Sequence, residues 1–340
     1  MTLRPRASPP FSIPPATGTM HILVTNDDGP PSTQSSPYIH SFVKTLQAAG
    51  HAVSVILPHQ QRSWIAKAHF AAQVVKPTYF RPGRLHQDDG TTHAKPLQTQ
   101  SGSDGADEDW VLVDSTPATA AQLGLFHFFQ DRGPVDLVVS GPNYGRNTTS
   151  LFSLSSGTIG GAMEAAVCRK RAIALSYAFF SRNHDPDIIA AASRMSVKLI
   201  EHLMNDWDDG VDLYSVNVPL IEGIEGKKVM YTHALQNYWA SGSSFTEIEA
   251  DDGEDEDPEE KEMVIREQQE TNQGEESSAK KRGHQHRHFT WTPNFSDVYQ
   301  SVETSEPGND GWAVKEGLVS VTPLKANFMH VPGLKGELKL

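Results

Sequence analysis

The stretch "HILVTNDDG", residues 21–29, runs a short apolar segment straight into two adjacent aspartates and a glycine. Its length and apolar run predict a buried strand, and Asp27-Asp28-Gly29 predicts a turn at the strand's carboxyl end. Downstream, "SPYIHSFVKTLQAAGH" places Ile39, Phe42, Val43, Leu46 and Ala49 at helical spacing, Gly50 stops the helix, and "AVSVILP" is a second strand. Strand, loop, helix and strand in this order form the unit from which parallel sheets are built.

The alternation continues. "WVLVDSTPATAAQLGLFHFF" reads as a strand entering a helix, and "VDLVVSG" as a strand followed by the loop "PNYGRNTTSLFSLS". "SGTIGGAMEAAVCRK" then carries a helical stripe of Ile159, Met163, Ala166 and Val167 before the strand "AIALSYA". A long amphipathic helix from Asp185 and the strand "LYSVNVP" close another unit, "KVMYTHALQ" looks like a strand, and "WAVKEGLVSVTPL" returns to core-like sequence. Strands alternating with helices predict an α/β fold, a doubly wound and mostly parallel sheet.

Composition bounds the rest. In 340 residues, a hydrophobic content of 37% and a mean hydropathy of -0.45 are low for a compact α/β protein, which implies polar segments diluting an ordinary core. Three such segments stand out: the Pro-rich tail 1–19, the Gly-rich polar stretch 81–109, and the charged stretch 247–288. The last two read as insertions in a single domain over 20–335, because neither buries enough apolar surface to offset its ordering entropy. Residues 247–288 hold fifteen Asp/Glu against six Lys/Arg, so they carry -9 of the net charge of -13. The acidity is therefore not a property of the core, and no basic face suited to polymeric nucleic acid is apparent. His284, His286 and His288 resemble a metal-binding tract but read as solvent-exposed positions of a polar segment.

Cys168, the single cysteine, excludes an internal disulfide framework and is compatible with a reducing compartment. The amino terminus lacks the apolar core of a secretory signal, and no window reaches the roughly 18 apolar residues of a membrane span. These features predict a cytoplasmic protein, while Arg4 and Arg6 leave organelle targeting open.

In an open parallel sheet, ligands bind beyond the carboxyl ends of the strands. That rule gathers Asp27 and Asp28, Gln61 to Ser63, Asp114 to Thr116 and Ser140 to Asn143 at one edge. Adjacent carboxylates in a sheltered crevice repel, and a divalent cation between them relieves the repulsion. A hydroxyl at Ser63 and an amide oxygen at Asn143 complete an oxygen-only set suited to Mg²⁺, Mn²⁺ or Ca²⁺. "SLSSGTIGGAME" puts small residues before a helix, either as ordinary capping by Ser156 or Thr158 or as a phosphate seat on free backbone N–H groups. Neither a Walker loop nor a dinucleotide-binding glycine pattern follows the first strand.

In this order, "ILVTNDDG", "LPHQQRS", "DSTPATAAQLGL", "DLVVSGPNYGRN", "SSGTIGGAMEAA", "YSVNVP" and "WAVKEGLVSVTPL" closely resemble the successive motifs of the SurE family of survival-protein nucleotidases and acid phosphatases, from about residue 20 to about 325. The resemblance implies a Rossmann-like three-layer α/β/α core with an extended carboxy-terminal part used in dimerisation, as a homodimer or homotetramer. It further implies divalent-metal-dependent hydrolysis of nucleoside monophosphates. By matching motifs, the Mg²⁺ or Mn²⁺ ligands fall on Asp27, Asp28, Ser63 and Asn143, with Asp27, Asp28 and Asn143 also catalytic, and the phosphate contacts fall on Ser156, Gly157 and Thr158.

The chain departs from the pattern with Pro30 after Gly29, "STPATA" at 115–120, and Trp64 where the family carries glycine; Trp64 either stacks on a base or fills a gap. Two other readings remain at this point. One is a covalent aspartyl-phosphate through Asp27 or Asp28, although phosphatases of that kind carry D-x-D rather than D-D-G. The other is a non-catalytic metal- or nucleotide-binding scaffold whose acidic insertion recruits partners.

Overall fold

The computed structural model describes residues 18–97, 108–180, 184–248, 288–329 and 337. Most of the tail 1–19 and of the stretch 247–288, including His284 and His286, lies outside the described residues.

Six parallel strands form the centre of the sheet: β1 (His21–Thr25), β2 (Ala52–Pro58), β5 (Trp110–Val113), β6 (Leu137–Tyr144), β7 (Arg171–Ala178) and β8 (Leu213–Pro219). Their spatial order is β5-β2-β1-β6-β7-β8, the doubly wound order of a Rossmann-like fold. Nearly every residue of these strands is buried, since helices cover both faces.

On one face, α1 (Ile39–Ala48) and α5 (Pro186–Asn205) pack Ile39, Phe42, Val43, Leu46, Ile189 and Ile200 against Ile22, Val24, Leu137 and Val139. On the other face, α2 (Pro117–Phe126) and α4 (Gly157–Val167) pack Ala120, Leu125, Ile159, Ala162 and Ala165 against Leu23, Val138, Ala172 and Ala174. The alternation of strand residues between the two clusters is the two-residue period of a pleat. Burying each large aliphatic side chain of this kind stabilises by about 1.5–3 kcal/mol.

Local chemistry sets the helix ends. Gly50 takes φ +90° after α1, where a side chain would be strained. Thr116 caps α2 by accepting from the Thr119 N–H at 3.1 Å, with Pro117 in the first helical position. Asp185 caps α5 in the same way, accepting from Asp187 at 2.8 Å.

Three segments differ from the expectations above. Part of the stretch 81–109 is sheet rather than loop: β3 (Pro77–Arg81) pairs antiparallel with β5, and β4 (Thr91–His93) pairs antiparallel with β3 at the sheet edge. Arg81 and Asp109 close its base as an ion pair at 2.9 Å. The expected loop after β6 contains a short helix, α3 (Thr149–Ser155). The strand in "KVMYTHALQ" is confined to β9 (Val229–Tyr231).

The carboxy-terminal part adds β10 (Phe245–Ile248) and β11 (His288–Trp291), an antiparallel pair that flanks the acidic stretch. Helices α6 (Ser296–Glu303) and α7 (Asp310–Lys315) follow, then β12 (Val319–Leu324), antiparallel to β8 and parallel to β9. Among the described residues no helix is long and apolar enough to cross a membrane.

Candidate active site

Strand order reverses between β1 and β6, so the loops leaving their carboxyl ends diverge and open a crevice. Asp27 and Asp28 follow β1 at this point and Asn143 ends β6. The two aspartates are only 2% and 1% exposed. The turn that carries them is built by Asn26, whose Oδ1 accepts from the Gly29 N–H at 3.0 Å and whose Nδ2 donates to the Gly29 carbonyl at 2.8 Å. Gly29 takes φ +88°, which a side chain would resist. The turn and the site are thus one object: local hydrogen bonds hold the chain so that both carboxylates sit in the crevice.

Partners distant in sequence orient them. The Arg62 N–H donates to the Asp27 carbonyl at 2.7 Å, seating the Ser63 segment beside the turn, and Gln61 Nε2 donates to Ser63 Oγ at 3.2 Å. Asp28 Oδ2 accepts from the Tyr144 N–H at 2.6 Å. Thr158 Oγ1 lies 2.5 Å from Asp27 Oδ1 and 3.1 Å from Asn143 Oδ1. Asn143 Nδ2 donates to the Gly145 carbonyl at 2.7 Å, so its oxygen is the atom facing Thr158. A hydroxyl has one proton, and the nearer, charged acceptor takes it. Asn143 Oδ1 and Thr158 Oγ1 are left facing each other as two acceptors next to a carboxylate.

Gly157 lets α4 close on this group. A Cβ there would lie 2.8 Å from Asp27 Oδ2, 2.9 Å from Asp27 Cβ and 3.0 Å from the Arg62 carbonyl. The amino-terminal end of α4 thus rests on Asp27, where its dipole favours negative charge.

The structure therefore brings Asp27, Asp28, Asn143, Gly157 and Thr158 into one cluster, with Ser63 tethered to it through Arg62. Ser156 acts as an ordinary cap, its Oγ accepting from the Ile159 N–H at 3.0 Å. Trp64 fills a gap: its ring packs edge-on against Trp291 and Phe152, with centroids 4.7 and 5.7 Å away. The side-chain atoms that meet at Thr158 Oγ1, namely Asp27 Oδ1 and Asn143 Oδ1, are oxygens.

Two partners escaped the sequence reading. Tyr144 acts through its backbone N–H, which leaves no trace in residue type. Asp310, which no sequence motif marked, is 2% exposed and accepts from Thr149 N at 2.9 Å, Leu235 N at 3.0 Å and Gly311 N at 2.7 Å. It thereby ties the start of α3 to the carboxy-terminal part.

Burial pushes the Asp310 carboxyl up from 3.8 to about 6, against the opposing pull of its three N–H donors and His233. The folded protein therefore keeps a proton that the unfolded chain has lost between these values. The stabilisation is full below pH 3.8 and is lost as pH rises through about 6. At 1.36 kcal/mol per pH unit, this amounts to about 3 kcal/mol. Urea unfolding of wild type and Asp310→Asn at pH 4 and pH 7 is expected to show the wild type losing that amount relative to the variant. A difference independent of pH contradicts the assignment.

A sheet of Rossmann order whose switch point joins two buried carboxylates, an asparagine oxygen and a helix amino terminus defines the class: an α/β protein with an acidic, oxygen-lined crevice. Residues 22–241 match the model of the family described as survival protein SurE. The chain belongs to the SurE family. It is 34% identical to the probable tubulin–tyrosine ligase PBY1 of Saccharomyces cerevisiae over 94% of its own length, spanning 43% of that protein. It is 31% identical to the 5'-nucleotidase SurE of Methanocella arvoryzae over 59% of its own length and 67% of the relative's. The crystal structure of the SurE protein from Aquifex aeolicus superposes with a TM-score of 0.55 at 21% identity, covering 91% of this chain and 94% of that one, a likeness of fold.

Proposed function

We propose that this chain is a divalent-metal-dependent phosphomonoesterase that hydrolyses nucleoside monophosphates in the cytoplasm. The observation that carries the reading is the cluster of Asp27, Asp28, Asn143 and Thr158 oxygens against the start of α4, supported by relatives named as 5'-nucleotidases. The donor set fits one Mg²⁺ or Mn²⁺, because two buried carboxylates and neutral oxygens form a hard, acceptor-rich site. Asp27, Asp28, Ser63 and Asn143 would hold the ion, which when bound neutralises charge on a phosphate oxygen and lowers the pKa of a water molecule.

The chain's own residues do the positioning. The start of α4, at Ser156, Gly157 and Thr158, would receive the phosphate, and the helix dipole favours its charge. Since the Thr158 hydroxyl is engaged by Asp27, its phosphate contact runs through the backbone. The Tyr144 N–H fixes Asp28 through its Oδ2. Phosphoryl transfer needs little beyond such positioning and charge neutralisation. The catalytic unit is read as one domain over 20–335, and exposed Phe245 on the antiparallel β10–β11 pair suits self-association into a homodimer or homotetramer.

Phosphate release from a panel of nucleoside monophosphates, with Mg²⁺, with Mn²⁺ and with a chelator, tests the reading. Metal-dependent release that the chelator abolishes is the expected outcome. No release from any member with either metal would leave a non-catalytic binding scaffold, and a trapped phospho-aspartate would replace the water route with a covalent one.

A further inference from the structure

The loops that carry the candidate ligands meet the same helix. Phe295, the residue before α6, and Tyr299 one turn later lie on one face, the Tyr299 N–H donating to the Phe295 carbonyl at 3.1 Å. Phe295 packs against Trp64, which follows Ser63, with ring centroids 5.7 Å apart. Tyr299 lies under Arg146, three residues after Asn143, the guanidinium carbon 4.8 Å from the ring centroid. Phe152 of α3, the helix that leads to Ser156, packs on Trp64 at 5.7 Å and on Phe295 at 5.9 Å. One helix face thus touches the segments bearing Ser63, Asn143 and Ser156.

The backbone at Trp64 strengthens the point. Trp64 has φ +62°, a left-handed conformation that suits glycine. A tryptophan in that conformation is strained, so its ring contacts must outweigh the strain. Those contacts go to Trp291 and Phe295, both supplied from beyond the acidic stretch.

We propose that α6 is a brace that sets the relative position of the ligand-bearing loops, with Trp64 and Tyr299 as positioning residues that act through Ser63 and Asn143. The roles of Ser63 and Asn143 rest on the proposed function; the mechanical coupling does not. Amide hydrogen exchange of the full chain without added metal therefore tests the brace by itself.

Trp64→Gly, which suits the backbone, and Tyr299→Ala should each speed exchange about tenfold across both 59–66 and 143–149, including the loop that the altered side chain does not touch. Trp64→Phe and Tyr299→Phe should restore protection, since each keeps an aromatic ring. Loosening confined to the altered residue's own loop overturns the brace, whether or not the protein proves to be a phosphatase. In the active enzyme, Trp64→Gly should lower kcat about tenfold and weaken Mn²⁺ binding by a similar factor, with KM within about twofold and Trp64→Phe restoring both. Unchanged Mn²⁺ affinity and kcat in both Trp64→Gly and Tyr299→Ala reduce the cluster to packing and also overturn the proposal.

Discussion

Asp28→Asn is expected to lower kcat/KM for nucleoside monophosphates by on the order of a thousandfold while leaving the protein at least as stable. Metal-assisted charge stabilisation supplies several kcal/mol, and each 1.36 kcal/mol is about a factor of ten in rate. The Tyr144 N–H decides how the variant sits. It donates to Asp28 Oδ2 at 2.6 Å, so an asparagine must turn its amide oxygen to that N–H and put its NH₂ group where the carboxylate has its second oxygen. The site loses a charge and a ligand atom together. Removing one of two adjacent buried carboxylates also removes their repulsion, so the melting temperature should hold or rise, as is common where function and stability conflict. Steady-state phosphate release and thermal unfolding, run on the same samples, check both halves. Equal rates for the two proteins would refute the site.

Gly157→Ala is the second large effect. Its Cβ would stand 2.8 Å from Asp27 Oδ2 and 2.9 Å from Asp27 Cβ, both closer than real side chains approach, and a tight 3.0 Å from the Arg62 carbonyl. Asp27 has no room to retreat, since it is 2% exposed and its carbonyl is held by the Arg62 N–H at 2.7 Å. The start of α4 must therefore move away, carrying Thr158 from Asp27 and Asn143. A misplacement approaching 1 Å costs about a hundredfold in rate, and overpacking of this kind destabilises by about 1–3 kcal/mol. The expected result is a loss of about a hundredfold in kcat/KM with a lowered melting temperature. Wild-type activity in a folded Gly157→Ala would show that the contact between α4 and Asp27 is dispensable.

The core elements were legible because their signals are short-range. Ile39, Phe42, Val43 and Leu46 mark α1 by spacing, Gly50 marks its end, and the apolar runs of β1, β2, β6, β7 and β8 are each bounded by turn residues. α3 was missed because "TSLFSLS" is rich in serine and threonine, which favour caps and turns. Its helix is held from outside, by Asp310 on the Thr149 N–H and by the packing of Phe152. β4 was missed because "TTH" is short and polar and becomes a strand only through pairing with β3.

The sequence by itself determined the α/β class, the order of the strands along the chain and the residue types of the acidic turn, because periodicity, caps and turns act over a few residues. Only the tertiary structure decided that Thr158 closes on Asp27 across 131 positions, that Tyr144 N–H orients Asp28 across 116, and that α6 holds the loops beside Ser63 and Asn143. Those contacts depend on which strands become neighbours and in what register, and no local pattern encodes a distance between segments that meet only when the sheet is assembled.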